Sequence, residues 1–397
     1  MRILFYLLPA LMNITTGLLF FVSAKRMADS GASSYMVALT MVAWAVGYAS
    51  SSILAGFVIN KRNAMRFLMG SQIILLAALC GLAFVGNLGL QFLWLPCVGV
   101  GGSMFFTSFQ SVIKILSRAE YALDAMIKNS AVYTFSWSTG LAFGPFIAAF
   151  VWGLFDATDG WRYCYFITIL LQLLVAIGIV VVAYSVRRRR LAESDAGEGV
   201  EVQPEIPEEQ RNLPDLMVAG WWLQGLGTIV VAMMRTYLPD YCTKELEMST
   251  FHQGIVMSLV SFAQAFTGLA CYSARRWPYR PWVIGSVSMA AAAAFLVFAF
   301  TGIWQLYALA AVMLGIFSGM MCFTATFHAL VNPLKSARYV SVNELLVGIA
   351  SVSAPMLGGM LASHCHVLAP FFGCLGCLLL CAAIYGRHTW PYRHLGE

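Results

Sequence analysis

Apolar runs, broken by short polar stretches, recur from one end of this 397-residue chain to the other. They fall near 3–24, 34–58, 66–86, 91–113, 129–153 and 163–186, and again near 215–238, 251–273, 281–301, 304–331, 339–362 and 367–386. A helix rising 1.5 Å per residue needs about 20 residues to cross about 30 Å of hydrocarbon, so the pattern predicts an all-α membrane protein with twelve transmembrane helices. Composition agrees: 60% of residues are hydrophobic and 11% charged, whereas a soluble chain carries about 25% charge. The first run starts almost at Met1, and the following "SAKRMADSG" offers no small-residue cleavage site. It reads as a retained helix and not as a signal peptide.

The net charge of +6 suggests nucleic acid until its distribution is considered. With both termini on one side, all but five of the 24 Lys and Arg residues fall on that side, the five being Lys25, Arg26, Arg162, Arg235 and Lys244. The positive-inside rule then places both termini in the cytoplasm, and the basic charge becomes a topology signal with no nucleic-acid role. The ten cysteines lie mostly in apolar runs, where they read as small packing residues and not as a metal site. "HCH" at 364–366 is too short a signal to assign a metal.

"RRRRLAESDAGEGVEVQPEIPEEQRNLPD" follows the sixth run, opening on four arginines that precede eight acids, with three prolines mixed in. It reads as a flexible cytoplasmic linker, 187–214, between halves 1–186 and 215–397. Asp29 and Asp240, Gly56 and Gly268, and Pro145 and Pro355 pair across it at offsets of 211, 212 and 210 residues. Near-equal offsets predict a duplicated half, and such repeats place a substrate site between them near mid-membrane.

With these features the chain resembles the Major Facilitator Superfamily over its whole length. "GLAFGPFIAA" is similar to that superfamily's motif C, with Gly140, Gly144 and Pro145 in place, and "SAPMLGG" sets Pro355, Gly358 and Gly359 at the equivalent place. Ser136, Gly140, Gly144 and Ala148 form a small-residue ridge at fourfold spacing, which lets another helix approach closely. Asn60 and Asn63 stand where motif A has aspartate and glycine, and Leu95 where motif B has arginine. The resemblance implies a 12-helix fold of two pseudo-symmetric halves, with the first, fourth, seventh and tenth helices lining a central cavity.

Those helices supply the candidate substrate-binding residues: Asn13 and Thr16, Phe106 and Gln110, Trp221, Trp222, Gln224 and Thr228, and Thr324 and His328. Polar groups at membrane depth must be paired or face a wet cavity; the alternative is that amides and hydroxyls fasten helices together. Trp221 and Trp222 face about 100° apart, so one at most points inward. Arg235 reads as lying near the outer end of the seventh helix, leaving no cation mid-span. That favours a neutral or weakly cationic solute over a phosphorylated one.

Glu344 in "SVNELLVGIASVSAPMLGG" is the one acid within a span. It follows Arg338 by six residues, about 9 Å along a helix. Three readings stay open: a gate at the cytoplasmic mouth with Lys61, Arg62 and Lys114, a proton-coupling carboxylate paired with His328, or a snorkelling side chain. No P-loop, nucleophile motif or metal-ligand spacing supports an enzyme or a cofactor. The expected function is secondary transport of a small organic solute by alternating access, with proton-coupled efflux through the inner membrane foremost and uptake or facilitated diffusion of a neutral solute second. A transporter-like sensor or assembly protein is the reading from another class. The expected partners are the substrate, protons and the lipid bilayer, with a monomer as the working unit.

Overall fold

The computed structural model describes residues 2–59, 63–116, 123–155, 159–195, 213–271, 277–331 and 335–396. The first six helices are α1 Arg2–Asp29, α2 Ser34–Val58, α3 Ala64–Phe84, α4 Gln91–Leu116, α5 Leu123–Leu154 and α6 Gly160–Asp195. The second six are α7 Met217–Lys244, α8 Thr250–Ala270, α9 Pro281–Phe300, α10 Trp304–Val331, α11 Ser336–His364 and α12 Ala369–Thr389. Each holds a stretch long and apolar enough to span a bilayer, and the chain is an integral membrane protein. Hydrocarbon offers no partner to backbone N–H and C=O groups, so an apolar run of this length closes its own hydrogen bonds as a helix.

Local residues set the helix starts. The Ser33 hydroxyl accepts from the Met36 N–H at 3.3 Å and opens α2. Ser249 does the same for α8, accepting from the His252 N–H at 3.4 Å. At the first connection Gly31, with φ 78°, turns the chain out of α1 in a conformation that costs a residue with a Cβ. The largest overruns of the predicted ends are at three helices: α1 to Asp29, α6 through the four arginines to Asp195, and α7 to Lys244.

Helices α1–α6 and α7–α12 form two bundles. Both chain termini lie on one face, here the terminal face, and the α1–α2 and α7–α8 connections lie on the opposite, distal face. The bundles meet along two antiparallel seams, α5 with α8 and α2 with α11. In the first, Gly254 sits against Ala149 and the Pro145 carbonyl, and Gly268 against Thr134. Phe143 and Phe262 cross between them edge to face with centroids 5.0 Å apart. In the second, Gly359 sits against Ser34, Tyr35 and Ala38, and Gly348 against Ala49. One turn nearer the terminal face the same stripe reaches Ile53 and Leu345, which are 51% and 47% exposed. The α2–α11 seam is therefore shut at the distal face, with contacts continuing to Gly348 and Ala49.

Within the first bundle α5 lies on α1. A Cβ on Gly140 would stand 2.1 Å from the Ala10 carbonyl oxygen, and one on Gly144 2.4 Å from the Leu18 nitrogen. The Ser136 hydroxyl donates to the Tyr6 carbonyl on the same ridge. Pro145 follows within α5. In the second bundle Gly358 faces Met233 of α7 while its neighbour Gly359 faces α2, so that glycine pair lies against both bundles at once.

Candidate central site between the two bundles

Between the bundles lies a cavity of about 10 Å³ walled by Phe20, Ser23 and Ala24 of α1, Thr40, Met41 and Trp44 of α2, Leu95 of α4, and Arg235 and Thr236 of α7. That volume admits one water-sized group; a solute enters when the bundles move apart. Trp44 packs edge to face on Phe20 with centroids 4.7 Å apart and stacks on Tyr48 at 4.9 Å. The wall thus joins aromatic faces to hydroxyls, with a guanidinium on the opposite side.

Arg235 corrects the reading of the sequence. Because α7 continues to Lys244, Arg235 lies nine residues inside the helix, about 13 Å from its end. Its Nη2 donates to Gln264 Oε1 of α8 at 3.5 Å. That oxygen also accepts from the Ser318 hydroxyl of α10 at 2.9 Å, and the Gln264 amide donates across the seam to Ser138 of α5 at 2.9 Å. A buried polar chain therefore runs from the cavity wall into the seam between the halves.

The predicted residues divide by helix face. On α1, Asn13 and Thr16 precede Phe20 and Ser23 at three- and four-residue steps, so they share the side that reaches the cavity. Each also fastens to its own helix, Asn13 Nδ2 donating to the Pro9 carbonyl and Thr16 Oγ1 to that of Met12, both at 3.1 Å. On α7, Gln224, Thr228 and Arg235 follow at four- and seven-residue steps on one side. Gln224 Nε2 donates to Thr228 Oγ1 at 3.2 Å. Phe106 of α4 is half-buried, eleven residues after Leu95 and so on nearly the same side.

Other members point elsewhere. Trp221 donates from Nε1 to the Tyr339 carbonyl at 3.4 Å and meets that ring edge to face at 5.6 Å, which puts it near the terminal end of α7 and not at mid-depth. Tyr339 in turn donates its hydroxyl to Asp215, and Lys335 Nζ lies 3.5 Å from the same carboxylate. The Tyr339 hydroxyl, then Asp215, raise the pKa of Lys335 above its ordinary value. Trp222 lies about 140° around α7 from Arg235 and is 48% exposed. Trp222→Ala should leave melting temperature and transport unchanged to within about 0.5 kcal/mol; a loss of transport would bring Trp222 into the solute path.

His328 turns into its own bundle. Its Nε2 lies 3.2 Å from the Tyr385 hydroxyl, which itself donates to the Pro278 carbonyl at 2.7 Å. The tyrosine proton is thus committed, so His328 is the donor through Nε2–H. The ring is buried among Tyr279, Phe327 and Tyr385 and away from the central cavity. Thr324, one turn before it, is fully buried. Lys61 and Arg62 lie outside the described residues, as do the side chains of Gln110, Lys114 and Glu344. Glu344 stands four residues before Gly348 in α11, a register position on the stripe that meets α2.

Two features of the distal face were not read from the sequence. Both first helices of the halves end in an ion pair one turn long, Lys25 with Asp29 at 2.9 Å and Asp240 with Lys244 at 2.7 Å. Lys244 also donates to the Ala32 carbonyl at 2.6 Å and so ties the second half to the first. The signal was available: each pair is spaced four residues apart.

Comparison with known proteins bears on this arrangement. The sequence model described as the Major Facilitator Superfamily matches residues 3–332. No curated protein sequence matches the chain. Among solved structures, the chain is similar to a bacterial homolog of the human lysosomal transporter Spinster, in an inward-facing and occupied conformation. The TM-score is 0.64 at 14% identity, covering 99% of this chain and 95% of that one, and this likeness speaks to fold alone. With that match over most of its length, and two six-helix halves closed around a central site, the chain belongs to the Major Facilitator Superfamily of secondary transporters.

Proposed function

We propose that this transporter exports a small organic solute in exchange for protons, as a single chain in an inner membrane with both termini in the cytoplasm. The observation that carries the reading is the closure of the distal face over the cavity between the halves. Gly359 and Lys244 hold that face shut against Ser34 and Ala32, and the site beneath it admits one water-sized group. Alternating access needs a state in which contacts between the halves shut one face over the site. Arg66, Lys335, Arg387 and Arg393 on the terminal face support a cytoplasmic orientation by the positive-inside rule. In this reading 1–186 and 215–397 are the moving halves, joined by the cytoplasmic linker 187–214.

The stripes Asn13, Thr16, Phe20 and Gln224, Thr228, Arg235 then form the solute path, with Phe106 beside it. Gly140, Gly144 and Pro145, with Pro355 and Gly358, keep the helices of each half close enough to move as rigid bundles, while Gly359 lies on the seam between the halves. Glu344 is the proposed coupling or gate acid, with Lys61, Arg62 and Lys114 near the cytoplasmic mouth. The inward turn of His328 leaves Glu344 to act without it, and supports facilitated diffusion of a neutral solute as the second reading.

The test begins with a thermal-stability screen, since a compound that raises the melting temperature binds the folded state preferentially. Flux of that compound into proteoliposomes is then measured with and without a pH gradient. The expected result is a gradient-driven flux that a protonophore abolishes, and a Glu344→Gln variant that keeps exchange of labelled for unlabelled solute but loses the response to the gradient. Equal flux with and without the gradient would establish the uncoupled reading, and an unchanged pH profile in Glu344→Gln would end the coupling role.

A further inference from the structure

We infer that the transported solute carries an anionic group, a carboxylate in the first instance, and that Arg235 is the residue that receives it. The inference rests on the reading of the central cavity as the transport site.

Arg235 lies deep in a membrane-spanning helix, and intramembrane cations are costly unless paired or facing a functional cavity. Among the described residues no carboxylate lies within ion-pair reach of it. Its partner Gln264 Oε1 is at 3.5 Å, the limit of a hydrogen bond, and already accepts from Ser318 at 2.9 Å. A guanidinium has five N–H donors and no acceptor, so most of its donors remain to be met. The other two cations of this region lie outside the cavity wall and have close partners of their own. Lys25 pairs with Asp29 at 2.9 Å. Arg26 donates from Nη2 to the Gly86 carbonyl at 2.6 Å and stacks on Trp161 at 3.5 Å, with only its Nη1 buried and unpartnered.

The direction of the unmet demand is what makes it a site. Arg235 forms part of the wall of the cavity between the halves, opposite Phe20, Ser23 and Trp44 of the first half. A planar fork matches a carboxylate bidentately. Phe20, Met41, Trp44 and Leu95 offer apolar and aromatic surface to the remainder of the solute. One positive charge on the cavity wall matches one negative charge, so the class is an amphipathic monoanion, an aryl- or alkyl-carboxylate, and not a polyanion. A ligand bridging Arg235 to the first half would also draw the halves together, which couples binding to the alternating movement.

Full-length protein in detergent is titrated with three probes of one shape, 4-phenylbutyrate, 4-phenylbutanamide and 4-phenylbutylamine, and with a series of longer alkyl carboxylates. At least one carboxylate is expected to raise the melting temperature while the matched amide and amine do not. Arg235→Gln should weaken that carboxylate's affinity by about tenfold or more, the scale of a lost charged hydrogen bond. Arg235→Lys should retain part of it. Each variant's own melting temperature and elution profile report its folding. Should Arg235→Gln fail to fold, the comparison of carboxylate with amide on the natural protein and on Arg235→Lys decides the matter. Equal stabilisation by acid and amide, an undiminished carboxylate effect in Arg235→Gln, or no response to any carboxylate would overturn the proposal. Its failure is separable from that of the export reading. Gradient-driven flux of a neutral or cationic solute, unchanged in Arg235→Gln, removes the anion and keeps the export. Binding of a carboxylate that no gradient moves across proteoliposomes removes the export and keeps the anion site.

Discussion

Oxidation of an Ala38→Cys, Gly359→Cys double variant is expected to stop transport completely, and reduction to restore it. Ala38 belongs to α2 and Gly359 to α11, and a Cβ on Gly359 would stand 2.9 Å from that of Ala38. A disulfide needs about 3.8 Å between Cβ atoms, so a slight separation of the helices accommodates it. The two residues sit in different halves at the shut distal face, the face that alternating access must open. Cys365 lies exposed six residues further on and is replaced by serine in the starting protein. A Ser52→Cys, Ser103→Cys pair serves as control, because these hydroxyls are 2.8 Å apart within one half and a bond there should leave transport running. If the cross-linked Ala38–Gly359 pair sustains normal flux, the halves do not part at this seam. Arrest by both pairs alike would trace the loss to oxidation itself.

The second large effect is expected from Gly140→Leu, which should fail to accumulate or should melt well below the natural protein. A Cβ at this position meets the Ala10 carbonyl oxygen at 2.1 Å and its carbon at 2.9 Å. The obstruction is backbone, which cannot rotate aside as a side chain can. The helices α1 and α5 must therefore separate, at a cost of about 3 kcal/mol or more, the upper end for overpacked sites. Because α1 carries Phe20 and Ser23 to the cavity, any protein that does fold should also bind solute poorly. Gly376→Leu is the control, since nothing lies within 4 Å of a Cβ there. Melting of both variants within about a degree of the natural protein would mean that α1 and α5 separate at little cost.

Much of the architecture was legible along the chain. The α9, α10 and α2 boundaries lie within a residue of the apolar runs that predict them, because in lipid a long apolar run has no alternative to a helix. The spacing of Gly140 and Gly144 announced a close approach, although which helix approaches is settled by residues some 130 positions away, at Tyr6 and Ala10. The candidate site was legible only in part. The end of α7 was misread because hydropathy falls at "LPDYCTK", which in a single helix marks water. Here Asp240 and Lys244 form an ion pair at 2.7 Å, and Asp240 is 2% exposed. The polar helix end is packed in protein, and Arg235 goes deep with it.

The sequence by itself determined the class of protein, the twelve spans, the division into halves and the relative angles of residues on each helix. These follow from the thickness of the bilayer and from 3.6 residues per turn, both of which act on neighbouring positions. Only the tertiary structure decided which side of each helix is inside. Periodicity places Gln224, Thr228 and Arg235 together and Trp222 apart, yet it is neutral as to which group meets a cavity. That choice is made by segments remote in the chain: by Phe20 and Trp44 facing Arg235 across the two halves, and by Tyr385 taking the hydrogen bond of His328 into its own bundle.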